Sequence, residues 1–259
     1  MPRGSAALMS VENPLEVAAK DRLIVALDFS DMDEALKLVD RLDGTVSFFK
    51  VGYELFLSVG WPVIEKLHDK GLEVFLDLKM DDVEATIENS VRSIADRKLA
   101  HFLTVHGTGA TAKAARRGKT GSDLKILQIT LLTSLDGTDL HDLMLVGVGD
   151  RYKFESESDY VKWRAGQSLE NGCDGLIASG QNAKMLRDTF PDKEFVLVCP
   201  GIRPKEDASD DHKRPCTPRD AIRDGADYIV VGRPIRNADD PNAKAERIIE
   251  EIQAGLDDR

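Results

Sequence analysis

The sequence predicts a single closed barrel of eight parallel strands alternating with helices, the (β/α)8 or TIM-barrel class of α/β fold. Three observations point there. Short β-rich apolar runs recur eight times, with longer amphipathic runs between them. Such alternation implies a parallel sheet with right-handed crossovers. The length of 259 residues suits one barrel, since such domains run to about 250 residues. No Pro/Gly/Ser-rich linker divides the chain.

The candidate strands are residues 23–29, 46–51, 73–78, 102–106, 125–132, 175–179, 195–200 and 228–232. Each is a short apolar run of the kind that a sheet covered on both faces requires. Helical patterns lie between them, for example at 33–42, 83–95, 181–189 and 218–224. Gly71, Gly172 and Gly225 each fall just before a strand, the usual place for a helix C-terminal glycine. Two segments break the rhythm, 133–157 after the fifth strand and 203–215 after the seventh. Both are βα loops, which in a barrel sit on the face where catalysis occurs.

Composition narrows the function. The chain has 46 acidic against 35 basic residues, a net charge of −11, which argues against nonspecific nucleic-acid binding. No apolar run approaches the ~18 residues of a membrane helix. Cys173, Cys199 and Cys216 show neither CxxC pairing nor metal spacing, as expected of a reducing, cytoplasmic setting. Residues 1–20 are read as an N-terminal extension and 21–259 as the barrel. Met1-Pro2-Arg3-Gly4-Ser5 has no apolar signal core and reads as an added tail.

Chemistry concentrates at the predicted strand ends. The third strand runs into Asp77-Leu78-Lys79-Met80-Asp81-Asp82. Side chains at i and i+2 share a strand face, so Asp77 and Lys79 point the same way. An ammonium between Asp77 and Asp82 stays protonated. It is a poor Schiff-base nucleophile, but a good trap for a developing carbanion and then a proton donor to it. Taken alone, such a cluster is equally a solvated salt-bridge network. Lys50 ends the second strand, with Asp28 and Asp77 as its expected neighbours from the first and third. Alone, it could simply snorkel to solvent. His106 ends the fourth strand and is given no catalytic role. Gly232-Arg233 after the eighth strand suits a phosphate, with a close backbone N–H and a bidentate donor. Arg203 from the seventh loop is placed to complete the grip.

With these residues assembled, the chain resembles the bacterial-type orotidine 5'-phosphate decarboxylases. The family signature D-x-K-x-x-D-I-x-x-T is met by Asp77, Lys79, Asp82 and Thr86, with Val83 in place of isoleucine. Leu23-Ile24-Val25-Ala26-Leu27-Asp28, Phe49-Lys50-Val51-Gly52, Leu132-Thr133-Ser134, Cys199-Pro200-Gly201-Ile202-Arg203-Pro204 and Val231-Gly232-Arg233-Pro234 follow in the family's order. The resemblance covers roughly residues 21 to 250. It implies conversion of orotidine 5'-phosphate to uridine 5'-phosphate in pyrimidine biosynthesis, without cofactor or metal. Lys79 would protonate C6 after carbon dioxide leaves, and Asp77 would sit against the departing carboxylate. Lys50 and Asp28 would hold the ribose and the charge network. Thr133 and Ser134 would lie by the ribose and base, and Arg203, Gly232 and Arg233 would bind the phosphate. Asp82 and Thr86 would reach into the site of a second copy, making a homodimer with shared active sites. His212 stands where the family often has a phosphate-gripping glutamine, and Val83-Glu84 stands where I-P is usual. Two alternatives remain: a magnesium-dependent sugar-phosphate decarboxylase of the same superfamily, such as 3-keto-gulonate 6-phosphate decarboxylase, and a noncatalytic phosphate-binding barrel.

Overall fold

A computed structural model describes residues 17–132, 154–207 and 216–259. The strands are β1 (Leu23–Ala26), β2 (Phe48–Gly52), β3 (Glu73–Met80), β4 (Phe102–Val105), β5 (Lys125–Ile129), β6 (Gly175–Ile177), β7 (Val196–Cys199) and β8 (Tyr228–Val231). They close into a barrel in sequence order, β8 pairing back onto β1, and every pairing is parallel. The described helices are α1 (Met32–Arg41), α2 (Tyr53–Val59), α3 (Trp61–Asp69), α4 (Glu84–Arg97), α5 (Gly109–Gly118), α6 (Glu157–Glu170), α7 (Ala183–Thr189), α8 (Pro218–Arg223), α9 (Arg233–Arg236) and α10 (Pro241–Asp257). The (β/α)8 expectation is thus met.

Alternation along the strands builds two cores. Leu23, Val25, Phe49, Val51, Val74 and Leu76 face outward into the layer beneath the helices. Ile24, Ala26, Phe48, Phe75, Phe102 and Tyr228 face inward and fill the barrel. Phe102 is the hub of that filling, with ring centroids 5.1 Å from Phe48 and 5.2 Å from Tyr228. Beneath it, the fully buried Arg22 donates from Nε to Val17 O and from Nη1 to Asp227 O.

Local signals fix the connections. Asp31 caps α1 by accepting from the Glu34 N–H, and Asp240 caps α10 by accepting from Asn242 and Ala243. Gly71, Gly172 and Gly225 have φ of 74°, 88° and 114°, as their placement before strands predicts. Strand ends differ from expectation. The apolar run of the first strand continues to Phe29 and that of the fifth to Leu132, but the strands end at Ala26 and Ile129. Leu27 and Leu131 stay buried beyond the last strand residue, and one further bond follows each strand, from Leu27 N–H to Lys50 O and from Thr130 N–H to Ile177 O. Among the described residues, no helix is long and apolar enough to cross a membrane.

Candidate active site at the mouth of the barrel

The polar site is the next inward layer above the aromatic one. Phe48, Phe75 and Phe102 face inward. Two residues further along each strand stand Lys50, Asp77 and Thr104. Strand period therefore aims these three into the barrel, just where the apolar filling ends. Lys50 Nζ lies 2.9 Å from Asp28 Oδ1 and 3.6 Å from Asp77 Oδ2, and Lys79 Nζ lies 2.8 Å from Asp77 Oδ2. The result is a chain of alternating charge, Asp28–Lys50–Asp77–Lys79. Gly52 leaves room for it, because a Cβ there would sit 2.9 Å from Lys50 Nζ.

Asp77 and Lys79 do share a face, but not by regular strand geometry. The β3–β4 register slips between Leu76 and Met80, and Lys79 has a φ of 41°. A slip of this kind re-aims a side chain beside a site. A left-handed non-glycine residue costs on the order of 1–3 kcal/mol and persists where its surroundings over-determine it. Thr104 does so here. Its Oγ1 accepts from the Lys79 N–H at 2.8 Å and donates to Asp77 Oδ1 at 2.9 Å. The following turn is held by Asp81, whose Oδ1 accepts from Thr111 Oγ1 at 3.2 Å. Asp81 lies over Gly107, where a Cβ would meet its Oδ1 at 1.9 Å.

Burial by itself would push the Asp77 carboxyl up. The ammoniums of Lys50 and Lys79, with hydrogen bonds from Lys79 and Thr104, more than offset it and hold the group below the usual carboxylate range. Ionised Asp77 therefore stabilises the fold above the unfolded carboxylate pKa of about 3.9. That contribution disappears as pH falls through the lowered folded value. Thr104→Val is expected to lower stability by about 1.5–3 kcal/mol at pH 7, the scale of a hydrogen bond to a charged group. The deficit should shrink only as pH falls below the usual carboxylate range, through the lowered Asp77 value. Thermal unfolding of both proteins from pH 7 down to about pH 2 checks this; a deficit independent of pH would contradict the assignment. His106 is pushed down, first by burial and then by the charge of Arg164, so it is a neutral imidazole at pH 7.

Two cavities matter here, and the first opens onto this chain of charge. One, of about 200 Å³, has Lys50, Asp77 and Lys79 on one side and Ile129, Leu131, Ile177 and Val230 among its apolar walls. The other, of about 460 Å³, is lined by Arg203, Arg233, Asn237, Glu206, Asp207 and Lys244, with Pro234 and Ala238. Gly232 lies close to Asp28, its would-be Cβ 3.6 Å from Asp28 Oδ2. The structure thus brings together Asp28, Lys50, Asp77 and Lys79, and it places Arg203 and Arg233 on one cavity wall. Asp82 and Thr86 are exposed, and Asp82 Oδ1 accepts from the Val83 N–H at 2.6 Å. Thr133, Ser134 and His212 lie outside the described residues. Sequence reasoning missed Thr104, whose only signal was a hydroxyl at an inward strand position. Asp81 belongs to the strand-end run but received no role there, and Asn237 and Lys244 carried no signal. Among the described residues, no cluster of three or more His, Cys, Asp or Glu could hold a metal ion.

Comparison with known proteins fits this geometry. Residues 21–248 match the model of the Orotidine 5'-phosphate decarboxylase / HUMPS family. The orotidine 5'-phosphate decarboxylase of Jannaschia sp. (strain CCS1) is 45% identical over 233 residues, spanning 90% of this chain and 98% of that protein. That of Bradyrhizobium diazoefficiens is 45% identical over 243 residues, spanning 94% and 98%. The crystal structure of orotidine 5'-phosphate decarboxylase from Lactobacillus acidophilus superposes with a TM-score of 0.76 at 34% identity, covering 90% of this chain and 100% of that one. With a matching model along nearly the whole barrel and curated relatives close to half identical, the chain belongs to the Orotidine 5'-phosphate decarboxylase / HUMPS family, an enzyme family that includes the orotidine 5'-phosphate decarboxylases.

Proposed function

We propose that this chain converts orotidine 5'-phosphate to uridine 5'-phosphate and carbon dioxide, without metal or cofactor. The observation that carries the reading is the line Asp28–Lys50–Asp77–Lys79 opening onto a cavity that is apolar on its other walls. A flat base lies against the apolar walls, and its carboxylate is directed at Asp77. The bond from C6 to the carboxyl carbon breaks, the electron pair stays on C6, and carbon dioxide leaves. The Lys79 ammonium stabilises that pair and then delivers its proton to C6. Solvent afterwards reprotonates the amine. Lys50 and Asp28 hold the ribose and keep Asp77 ionised. Arg203, Gly232 and Arg233 hold the 5'-phosphate, and Thr133, Ser134 and His212 complete the substrate contacts. Phosphate binding supplies energy remote from the reacting carbon.

The active unit is a homodimer. Asp82 and Thr86 are exposed; Val83, next to Asp82 in the chain, is 69% exposed, and Leu57 on α2 is 77% exposed. Apolar side chains this bare are what a second copy would cover. It would bring Asp82 to the partner's Lys79. Three free thiols suit a reducing cytoplasm.

The test is loss of orotidylate absorbance in the presence of excess chelator. Full turnover is expected, because ammoniums stand where a metal enzyme would place a cation. Turnover of a sugar phosphate instead, and only with added magnesium, would transfer the chain to the sugar-phosphate branch. No turnover of either would leave a binding protein.

A further inference from the structure

We infer that Lys244 is a positioning residue for the phosphate end of the site, acting by neutralising Glu206 and Asp207. The inference rests on the reading that the larger cavity takes a 5'-phosphate. Lys244 lies in the first turns of α10, three residues after Pro241. It is only 8% exposed. Its Nζ donates to Glu206 Oε1 at 2.8 Å and pairs with Asp207 Oδ2. All three line the same cavity as Arg203 and Arg233.

A lysine here needs an explanation. The N-terminal end of a helix disfavours a cation, and burial disfavours its charged form. Burial would lower the Lys244 ammonium, but the two carboxylates more than offset this and raise it. The lining of the cavity supplies the reason. Glu206 and Asp207 share it with Arg203 and Arg233, and Lys244 pairs with both carboxylates. With Lys244 in place, neither carboxylate presents an uncompensated charge to a phosphate dianion. Without it, both are released to repel the phosphate. Glu206 and Asp207 follow Arg203 by only three and four residues, so the same ion pairs fix the segment that carries Arg203.

Charge compensation and mere tethering differ in one respect. If neutralisation is the role, removing the two carboxylates should repair the loss of the lysine. Inhibition constants for uridine 5'-monophosphate and uridine, against orotidylate turnover, provide the readout. Lys244→Met is expected to weaken the nucleotide about tenfold, about 1.4 kcal/mol, with uridine unchanged. KM should rise to match while kcat stays within about twofold. Lys244→Met/Glu206→Gln/Asp207→Asn should return nucleotide affinity to within about threefold of the unaltered protein, and Lys244→Arg should remain close to it. Should Lys244→Met not fold, the triple and arginine variants answer the question alone, as weak nucleotide binding by a folded triple variant contradicts it. Equal weakening of nucleotide and uridine, or no weakening of either, would also overturn it. An unaltered protein that neither binds the nucleotide nor turns over orotidylate would instead overturn the functional reading itself.

Discussion

Replacing Lys79 with alanine is expected to reduce turnover by at least about 10⁴-fold, since proton delivery contributes roughly 10²–10⁴-fold and electrostatic stabilisation of a developing anion roughly 10²–10³-fold more. Binding of uridine 5'-monophosphate should change little by comparison. The product carries no carboxylate, and the proposed phosphate contacts, Arg203 and Arg233, line a different cavity from Lys79. Asp77 would keep Lys50 at 3.6 Å and the Thr104 hydroxyl at 2.9 Å, so the site should stay folded. Such a split marks an interaction made chiefly in the transition state. Single-turnover decarboxylation and product titration on the purified variant check it. Turnover within tenfold of the unaltered protein would remove Lys79 from the chemistry.

Much of this was legible in the sequence, for a definite reason. Strand period is a local property, so charged residues at the strand ends such as Lys50 and Asp77 can be placed by counting; Thr104 obeys the same count after Phe102 but carries no charge to mark it. Strand adjacency in a barrel then makes Asp28 and Asp77 the neighbours of Lys50, as the distances bear out. What escaped depends on contacts distant in sequence. The left-handed backbone of Lys79 is imposed by Thr104, 25 positions away on another strand, and nothing in Asp77-Leu78-Lys79 announces a register slip. Lys244 reads as one more surface lysine on a charged helix until the fold brings Glu206, 38 positions back, within 2.8 Å. Asp82 and Thr86 are exposed, so the role proposed for them depends on what a second copy brings against them.

The shared site is where the account is most exposed to test. A chain carrying Lys79→Ala and a chain carrying Asp82→Asn should each be nearly inactive as homodimers. In a mixed dimer in which Asp82 crosses the interface, one site collects both lesions. The other has Lys79 from one chain and Asp82 from its partner, both intact. With differently tagged chains and the heterodimer isolated, orotidylate decarboxylation is expected to return to about half that of the unaltered dimer, since one of two sites is whole. If Asp82 serves its own chain, each site keeps one lesion. A confirmed heterodimer with no more activity than its parents would contradict the shared site.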